Sequence, residues 1–268
     1  MRKHRFDLLV NCFILYSMET FEQKRDFNQE MEMGRISSAV FELRNPTERI
    51  LEKLSHELES GDVQLIIGDD ASGRIPTAIF RKVFDVAYKE RGFTVPETRF
   101  LAGSRKMFGQ EKFEKKEKIA EYLKEVKKDI EKKFGRPFSK ALVVTDIVVT
   151  GRSLDPLMEV LNEMGIETVV ASMTATNMEY IKGISDWWHA PVYFGGDYIP
   201  DIYGNQKISG VVKDEQDLFA ETYKNKWGIK GTEKGEQSQE MVNKSRELSE
   251  QLAVETYGKW KASHNAEK

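Results

Sequence analysis

Apolar residues follow two different patterns along the middle of this chain. Short continuous apolar runs are typical of strands buried on both faces of a sheet, and they occupy residues 63–68, 98–103, 141–147, 167–175 and 191–196. Stretches with apolar residues every three or four positions are typical of helices with one buried face, and they occupy residues 76–91, 112–134 and 154–164. The alternation predicts an α/β fold with a doubly wound, mainly parallel sheet flanked by helices.

Helical patterns also lie on either side of this alternating region. Residues 45–61 predict one helix that stops at Gly61. Beyond residue 210, the sequence predicts a helix at 214–227, a polar linker and a last helix with a narrow apolar stripe. We therefore predict an N-terminal, mostly helical extension (1–61), an α/β core (62–210) and a helical C-terminal tail (211–268). The stripe contains Met241, Ser245, Leu248 and Leu252, and the tail either folds back on the core or binds a partner.

Composition narrows the classes of partner. With 268 residues, 40% of them hydrophobic, the chain can bury a full α/β core, and a net charge of -3 gives no basic field for nucleic acid. The single Cys12 excludes a disulfide framework and favours a reducing, cytoplasmic location. The apolar run at residues 8–16 is too short to span a membrane and matches a signal peptide poorly, so we expect a packing segment or an extension ahead of a start near Met18.

The segment TDIVVTGRS, residues 145–153, combines a strand end with the start of a helix. In open α/β sheets, ligands bind outside the carboxyl ends of the strands, and amides at a helix N-terminus attract anions. Gly151 allows positive φ or a close approach of the backbone, Thr150 and Ser153 donate hydrogen bonds, and Arg152 adds charge. Asp146 is suited to sugar hydroxyls or Mg²⁺. The segment predicts a site for a phosphorylated ligand, and the alternative is an ordinary capped turn.

VVTDIVVTGRSL resembles the sequence with which type I phosphoribosyltransferases bind 5-phosphoribosyl 1-diphosphate (PRPP). The resemblance covers roughly residues 62–210 and implies a phosphoribosyltransferase-like core that transfers the phosphoribosyl group to a nitrogenous acceptor, with release of pyrophosphate and help from Mg²⁺. It implies that the 5′-phosphate binds at residues 150–153 and the ribose at Asp146. Family members commonly pair, which suggests a homodimer.

Two further segments resemble other parts of the same family. GDDASGRIPTAIF resembles its pyrophosphate loop, which implies diphosphate contacts from Asp70, Ala71, Ser72, Gly73 and Arg74. SRKMFGQEK takes the place of a mobile lid, which implies catalytic roles for Arg105 and Lys106 beside Asp146. The alternatives are a solvated loop that caps the next helix and an exposed loop, respectively.

The sequence departs from the family pattern at two positions. Thr145 stands where the family has the first of two acidic residues, so a hydroxyl replaces a charge near the metal. Val149 stands where 6-oxopurine-type members carry an aspartate that acts as a general base, and valine accepts no proton. The sequence thus leaves two hypotheses, a transferase and a non-catalytic protein that binds PRPP or a nucleotide. Trp187, Trp188, Tyr198 and Tyr203 are candidates either for a surface that stacks on a base or for packing.

Overall fold

The structure is a computed structural model, and it describes residues 30, 31, 33–69, 73–101, 110–175, 178–196 and 233–267. The chain divides into two compact units, Met1–Ser38 and Ala39–Lys268. Residues 33–41 form helix α1. The predictions for residues 8–16, Cys12 and the helix at 214–227 lie outside the described residues.

Five parallel strands form a single sheet in the second unit. They are β1 (Leu65–Asp69), β2 (Glu97–Leu101), β3 (Lys140–Val148), β4 (Glu167–Ala175) and β5 (Val192–Gly196). Their order is β2-β1-β3-β4-β5, with Leu65 opposite Glu97 on one side and Ala141 on the other. The α/β class and the parallel sheet are confirmed, and each strand begins and ends within two residues of its predicted bounds.

Seven helices of the second unit are described in full. They are α2 (Arg44–Lys53), α3 (Ser55–Ser60), α4 (Arg74–Arg91), α5 (Gln110–Phe134), α6 (Asp155–Glu163), α7 (Met178–Trp188) and α8 (Glu233–Glu267). The prediction of one helix over residues 45–61 is wrong at Leu54, where ψ turns to 11° and separates α2 from α3. The predicted stop at Gly61 is present, and its φ of 72° is accessible because glycine lacks a Cβ.

Helices cover both faces of the sheet. Helices α5, α6 and α7 share one apolar core with β1, β3, β4 and β5. On the other face, α4 packs on β1 and β3, α2 packs on β4 and β5, and α8 packs across α4 and α2. Helix α2 and helix α8, which the sequence places in terminal extensions, thus belong to the same compact unit as the sheet.

Cover on both faces explains why the strands read as continuous apolar runs. Every residue of β3 except Ile147 is buried, and every residue of β4 except Glu167 is buried. Because almost every residue of β3 and β4 is buried, a ligand can contact polar side chains of these strands only near the strand ends. Of the helices that the structure describes, none is both long and apolar enough to cross a lipid bilayer.

Candidate functional site at the carboxyl ends of β1 and β3

The strand order reverses direction between β1 and β3. The chain passes from β1 outward to β2 at one edge and then returns to β3 on the other side of β1. In a sheet with this order, the connections that leave neighbouring strands diverge at that point and open a crevice at the carboxyl ends. The end of β1 at Asp69 and the loop after β3 at Val148 border this crevice. Two segments far apart in the sequence are thereby brought together.

Two buried carboxylates meet at one hydroxyl in this crevice. Asp69 and Asp146 are each 3% exposed. The Thr145 Oγ1 atom lies 3.2 Å from Oδ2 of Asp69 and 3.4 Å from Oδ1 of Asp146. A hydroxyl carries one proton, so Thr145 can donate to only one of the two carboxylates at a time. The Ile147 amide donates to Asp146 Oδ1 at 2.8 Å and fixes the orientation of that side chain.

Asp69 belongs to the segment GDDASGRIPTAIF that resembles the diphosphate loop, but no ligand contact is predicted for it from the sequence. Only the pairing of β1 with β3 places it beside Thr145. A carboxylate from the neighbouring strand therefore lies beside the Thr145 hydroxyl. The crevice contains two carboxylates next to each other.

The turn after β3 contains backbone amides that donate no backbone hydrogen bond among the described residues. Thr150 and Arg152 are exposed, and Ser153 is partly exposed. The Gly151 carbonyl accepts hydrogen bonds from the amides of Leu154 at 2.9 Å and Asp155 at 3.2 Å. Among the backbone hydrogen bonds of the described residues, none uses an amide of residues 150–153 as donor. Consecutive amides at the start of a helix, without acceptors, are a favourable arrangement for an anion.

Gly151 and Trp188 hold the turn in place. Gly151 has a φ of 71°, and a Cβ on it would lie 2.8 Å from Cζ2 of Trp188. Trp188 is 2% exposed, and its Nε1 donates to Oδ1 of Asp155 at 2.8 Å. Of the two roles left open for this tryptophan, packing is the one that the structure shows. Its neighbour Trp187 is 66% exposed.

The loop after β1 is only partly described. Gly73 is buried, and a Cβ there would lie 2.5 Å from the Asp69 carbonyl oxygen and 3.0 Å from that of Val144, so glycine lets α4 begin against the ends of β1 and β3. The Arg74 guanidinium carbon lies 4.5 Å from the centre of the Phe100 ring. The remaining predicted contacts of this loop and of the lid lie outside the described residues, namely Asp70, Ala71, Ser72, Arg105 and Lys106.

The entrance to the crevice is partly apolar. Val149 is 49% exposed and Ile147 is 37% exposed. Neither side chain accepts a proton, so this edge can contact a ligand by packing alone. His189, just after α7, is exposed.

Comparison of the chain with protein-family models and with curated proteins found no match. Among the described residues, no group of three or more His, Cys, Asp or Glu side chains could hold a metal ion. Asp69 and Asp146 supply two carboxylates, and a metal bound there would complete its coordination with ligand oxygens and water, as Mg²⁺ commonly does.

Proposed function

We propose that the crevice between β1 and β3 binds PRPP together with Mg²⁺ and that the protein transfers the phosphoribosyl group to a nitrogenous, nucleobase-like acceptor. The observation that carries the proposal is that two features lie at the same edge of the sheet. The turn of residues 150–153, whose amides donate no backbone hydrogen bond, follows β3, and the buried carboxylates Asp69 and Asp146 lie at the ends of β1 and β3. The first feature suits a phosphate and the second suits ribose hydroxyls or a hard cation.

The residues of the turn would bind the 5′-phosphate. Four backbone amides, the hydroxyls of Thr150 and Ser153 and the Arg152 guanidinium would surround a dianion at the N-terminus of α6. Helix α6 has no side-chain cap hydrogen bond at its N-terminus, so no capping side chain would compete with a bound phosphate there. The buried Trp188 beneath Gly151 would keep the turn in its binding conformation.

The carboxylates of Asp69 and Asp146 would bind the ribose and the metal ion. Asp146, held by the Ile147 amide, would accept hydrogen bonds from the ribose hydroxyls, and Asp69 and Asp146 would hold Mg²⁺. When bound, Mg²⁺ would neutralise charge on the departing diphosphate. Thr145 would donate its single proton to one of the two carboxylates at a time.

The proposed reaction needs little covalent chemistry from the protein. The acceptor nitrogen forms a bond to C1 of the ribose while the bond from C1 to the diphosphate oxygen breaks. Diphosphate leaves with the bonding electron pair, and the proton of the acceptor passes to solvent. The protein contributes position and charge, and the predicted lid residues Arg105 and Lys106 would stabilise the diphosphate as it leaves.

A second candidate function is a regulator that binds PRPP without turning it over. Val149 favours it, because an exposed aliphatic side chain stands where a general base would be required for a 6-oxopurine acceptor. Thr145 favours it as well, because the hydroxyl is buried between the two carboxylates and does not face a ligand as a charge would.

Calorimetric titration of the full chain with PRPP and Mg²⁺ tests binding, and pyrophosphate release with a panel of nucleobases tests turnover. Replacing both Thr150 and Ser153 by alanine should weaken PRPP binding roughly 100-fold, since a hydrogen bond to a charged group contributes about 1.5–3 kcal/mol. Asp146→Asn should lower turnover by about 100-fold or more at unchanged fold. Ser263→Ala, in α8, is the control that should change neither.

The outcomes separate the two candidates. Pyrophosphate release that depends on Asp146 supports the transferase. PRPP binding without release, whatever the acceptor, supports the regulator. If the wild-type chain does not bind PRPP at all, both functions are excluded.

A further inference from the structure

A second cavity lies on the α4 face of the sheet, between α4, the edge strand β2 and α8. Its volume is about 360 Å³, within the range of small-molecule sites. Ile75 and Ala78 of α4, Val242 of α8 and Phe100 of β2 give it an apolar wall. Val242 and Ile75 are almost fully buried, so this wall belongs to the packed interior of the protein. We call this cavity the α4–α8 groove.

Guanidinium groups dominate the rim of the α4–α8 groove. Arg74, Arg81 and Arg246 line it, against one carboxylate from Glu250. Arg81 and Glu250 form a pair at 2.9 Å, but their side chains are 50% and 44% exposed, so the pair is weak and open to competition. Within the part of the chain that the structure describes, Arg246 has neither a hydrogen bond nor an ion pair. The rim therefore has an excess of positive charge.

The aromatic ring in the groove lies close to a guanidinium group. The guanidinium carbon of Arg74 lies 4.5 Å from the centre of the Phe100 ring. A guanidinium beside an aromatic ring is attracted by the negative charge of the ring face, and the apolar side chains around this pair offer surfaces on which a flat group can pack. The groove thus combines donors suited to a phosphate with surfaces suited to a flat apolar group.

We propose that the α4–α8 groove binds a small phosphomonoester that carries a flat apolar group, the chemistry of a nucleoside monophosphate. Arg246 and Arg81 bind the phosphate, since planar guanidinium groups match phosphate oxygens in pairs. The flat group packs against Phe100, Ala78 and Val242. The groove contains none of residues 150–153, at which PRPP is proposed to bind, and it shares Arg74 with the segment that resembles the diphosphate loop. The residues that bind the phosphate in the groove, Arg246 and Arg81, have no part in the function proposed above.

The test is calorimetric titration of the full chain with adenosine 5′-monophosphate (AMP), adenosine and inorganic phosphate. The experiment is done in wild type and in the variant with alanine at Thr150 and Ser153, in which the proposed PRPP site binds phosphate much more weakly. AMP should bind with one site per chain and more tightly than either fragment. Arg246→Ala should weaken AMP binding at least tenfold, and Arg246→Lys should weaken it less. Lys244→Ala is the matched control on the same helix, because Lys244 pairs with Glu247 and does not line the groove.

Three results would overturn this inference. They are AMP binding that Arg246→Ala does not change, AMP binding that disappears when Thr150 and Ser153 are replaced, and inorganic phosphate that binds as tightly as AMP. Failure of wild-type protein to bind PRPP, with AMP binding still sensitive to Arg246, would reject the proposed function and leave the groove assignment intact. Arg246 is exposed, so its replacement should not disturb folding, and circular dichroism verifies this.

Discussion

Trp188 connects the candidate site to the interior of the fold. Its indole fills the space beside the Cα of Gly151, and its Nε1 binds the Asp155 carboxylate in the first turn of α6. The carbonyl oxygen of Trp188 in turn accepts a hydrogen bond from Nδ2 of Asn162 at 2.9 Å. One buried side chain therefore holds both the turn and the first residue of the helix that would bind the phosphate.

Replacing Trp188 by phenylalanine should destabilise the protein and weaken phosphate binding together. Asp155 is 9% exposed, so loss of its donor leaves a nearly buried carboxylate oxygen without that partner, at a cost of about 1–3 kcal/mol. Urea unfolding followed by circular dichroism measures this cost. Trp187→Phe is the control, because that ring is 66% exposed and its loss should change the free energy of unfolding by less than about 0.5 kcal/mol. Equal effects of the two substitutions would contradict the role given to Trp188.

The same packing limits which variants can test the site. The left-handed φ and the 2.8 Å approach to Trp188 mean that any side chain at Gly151 would disturb the core as well as the ligand. The sequence predicts the freedom that glycine provides there, but the neighbour that requires it lies 37 residues later in the chain. Asp69 shows the same limit, because its contact with Thr145 depends on strand order. The local sequence pattern predicts which residues one loop contributes, but it does not predict contacts between loops, because these depend on the order of the strands.

At the scale of elements, α8 is held by a stripe that combines large and small residues. Leu248, Leu252 and Trp260 are almost fully buried. Ser245 and Ser249, also buried, donate to carbonyls one turn earlier in their own helix, which satisfies their hydroxyls and leaves a low ridge on α8. Small residues allow α8 to approach α4 closely. Of the two possibilities that the sequence leaves for this tail, folding back is the one seen, and binding of a partner stays a prediction.

Leu252→Ala should therefore lower the stability of the whole second unit. Leu252 is fully buried, and removal of a buried leucine side chain costs about 2–5 kcal/mol when the cavity does not collapse. The midpoint of urea unfolding, followed by circular dichroism, should shift accordingly. Val254→Ala, at an exposed position two residues away, should leave the midpoint nearly unchanged. An unchanged midpoint for Leu252→Ala would show that α8 does not contribute to the cooperative core.

Helix α7 shows why some elements escape sequence analysis. Its apolar residues Ile181, Ile184 and Trp188 recur three and four positions apart, which is the helical signal, yet Gly183 lowers the helix propensity in the middle. From the sequence alone, Trp187 and Trp188 at its end can also be interpreted as a surface that stacks on a ligand. By contrast, β4 begins and ends where the sequence predicts, because burial on both faces makes its whole length apolar.

At the scale of the whole molecule, two buried groups, Lys140 and Tyr88, affect how the stability of the protein changes with pH. Burial lowers the pKa of Lys140, but hydrogen bonds to Glu167 and Glu57 outweigh burial and leave the pKa raised. Burial raises the pKa of Tyr88, and the nearby charges of Asp62 and Glu57 add to this effect. A group whose pKa is raised on folding stabilises the protein fully below its unfolded pKa and loses this contribution as pH rises towards its folded pKa. Both groups therefore predict that the fold weakens in alkali.

Tyr88 should account for a measurable part of that alkaline loss. Its hydroxyl donates to the Glu57 carbonyl at 2.9 Å and accepts from the Val63 amide at 3.1 Å, so the folded protein retains the proton while the unfolded chain ionises near pH 10. The stability advantage of wild type over Tyr88→Phe should be about 1–3 kcal/mol at pH 8 and should shrink by about 1.4 kcal/mol by pH 11. Urea unfolding at a series of pH values measures the difference. Phe84→Leu, a change in the ring that contacts Tyr88 edge-on, should cost the same at both pH values, and a Tyr88→Phe difference that is equally constant would contradict the assignment.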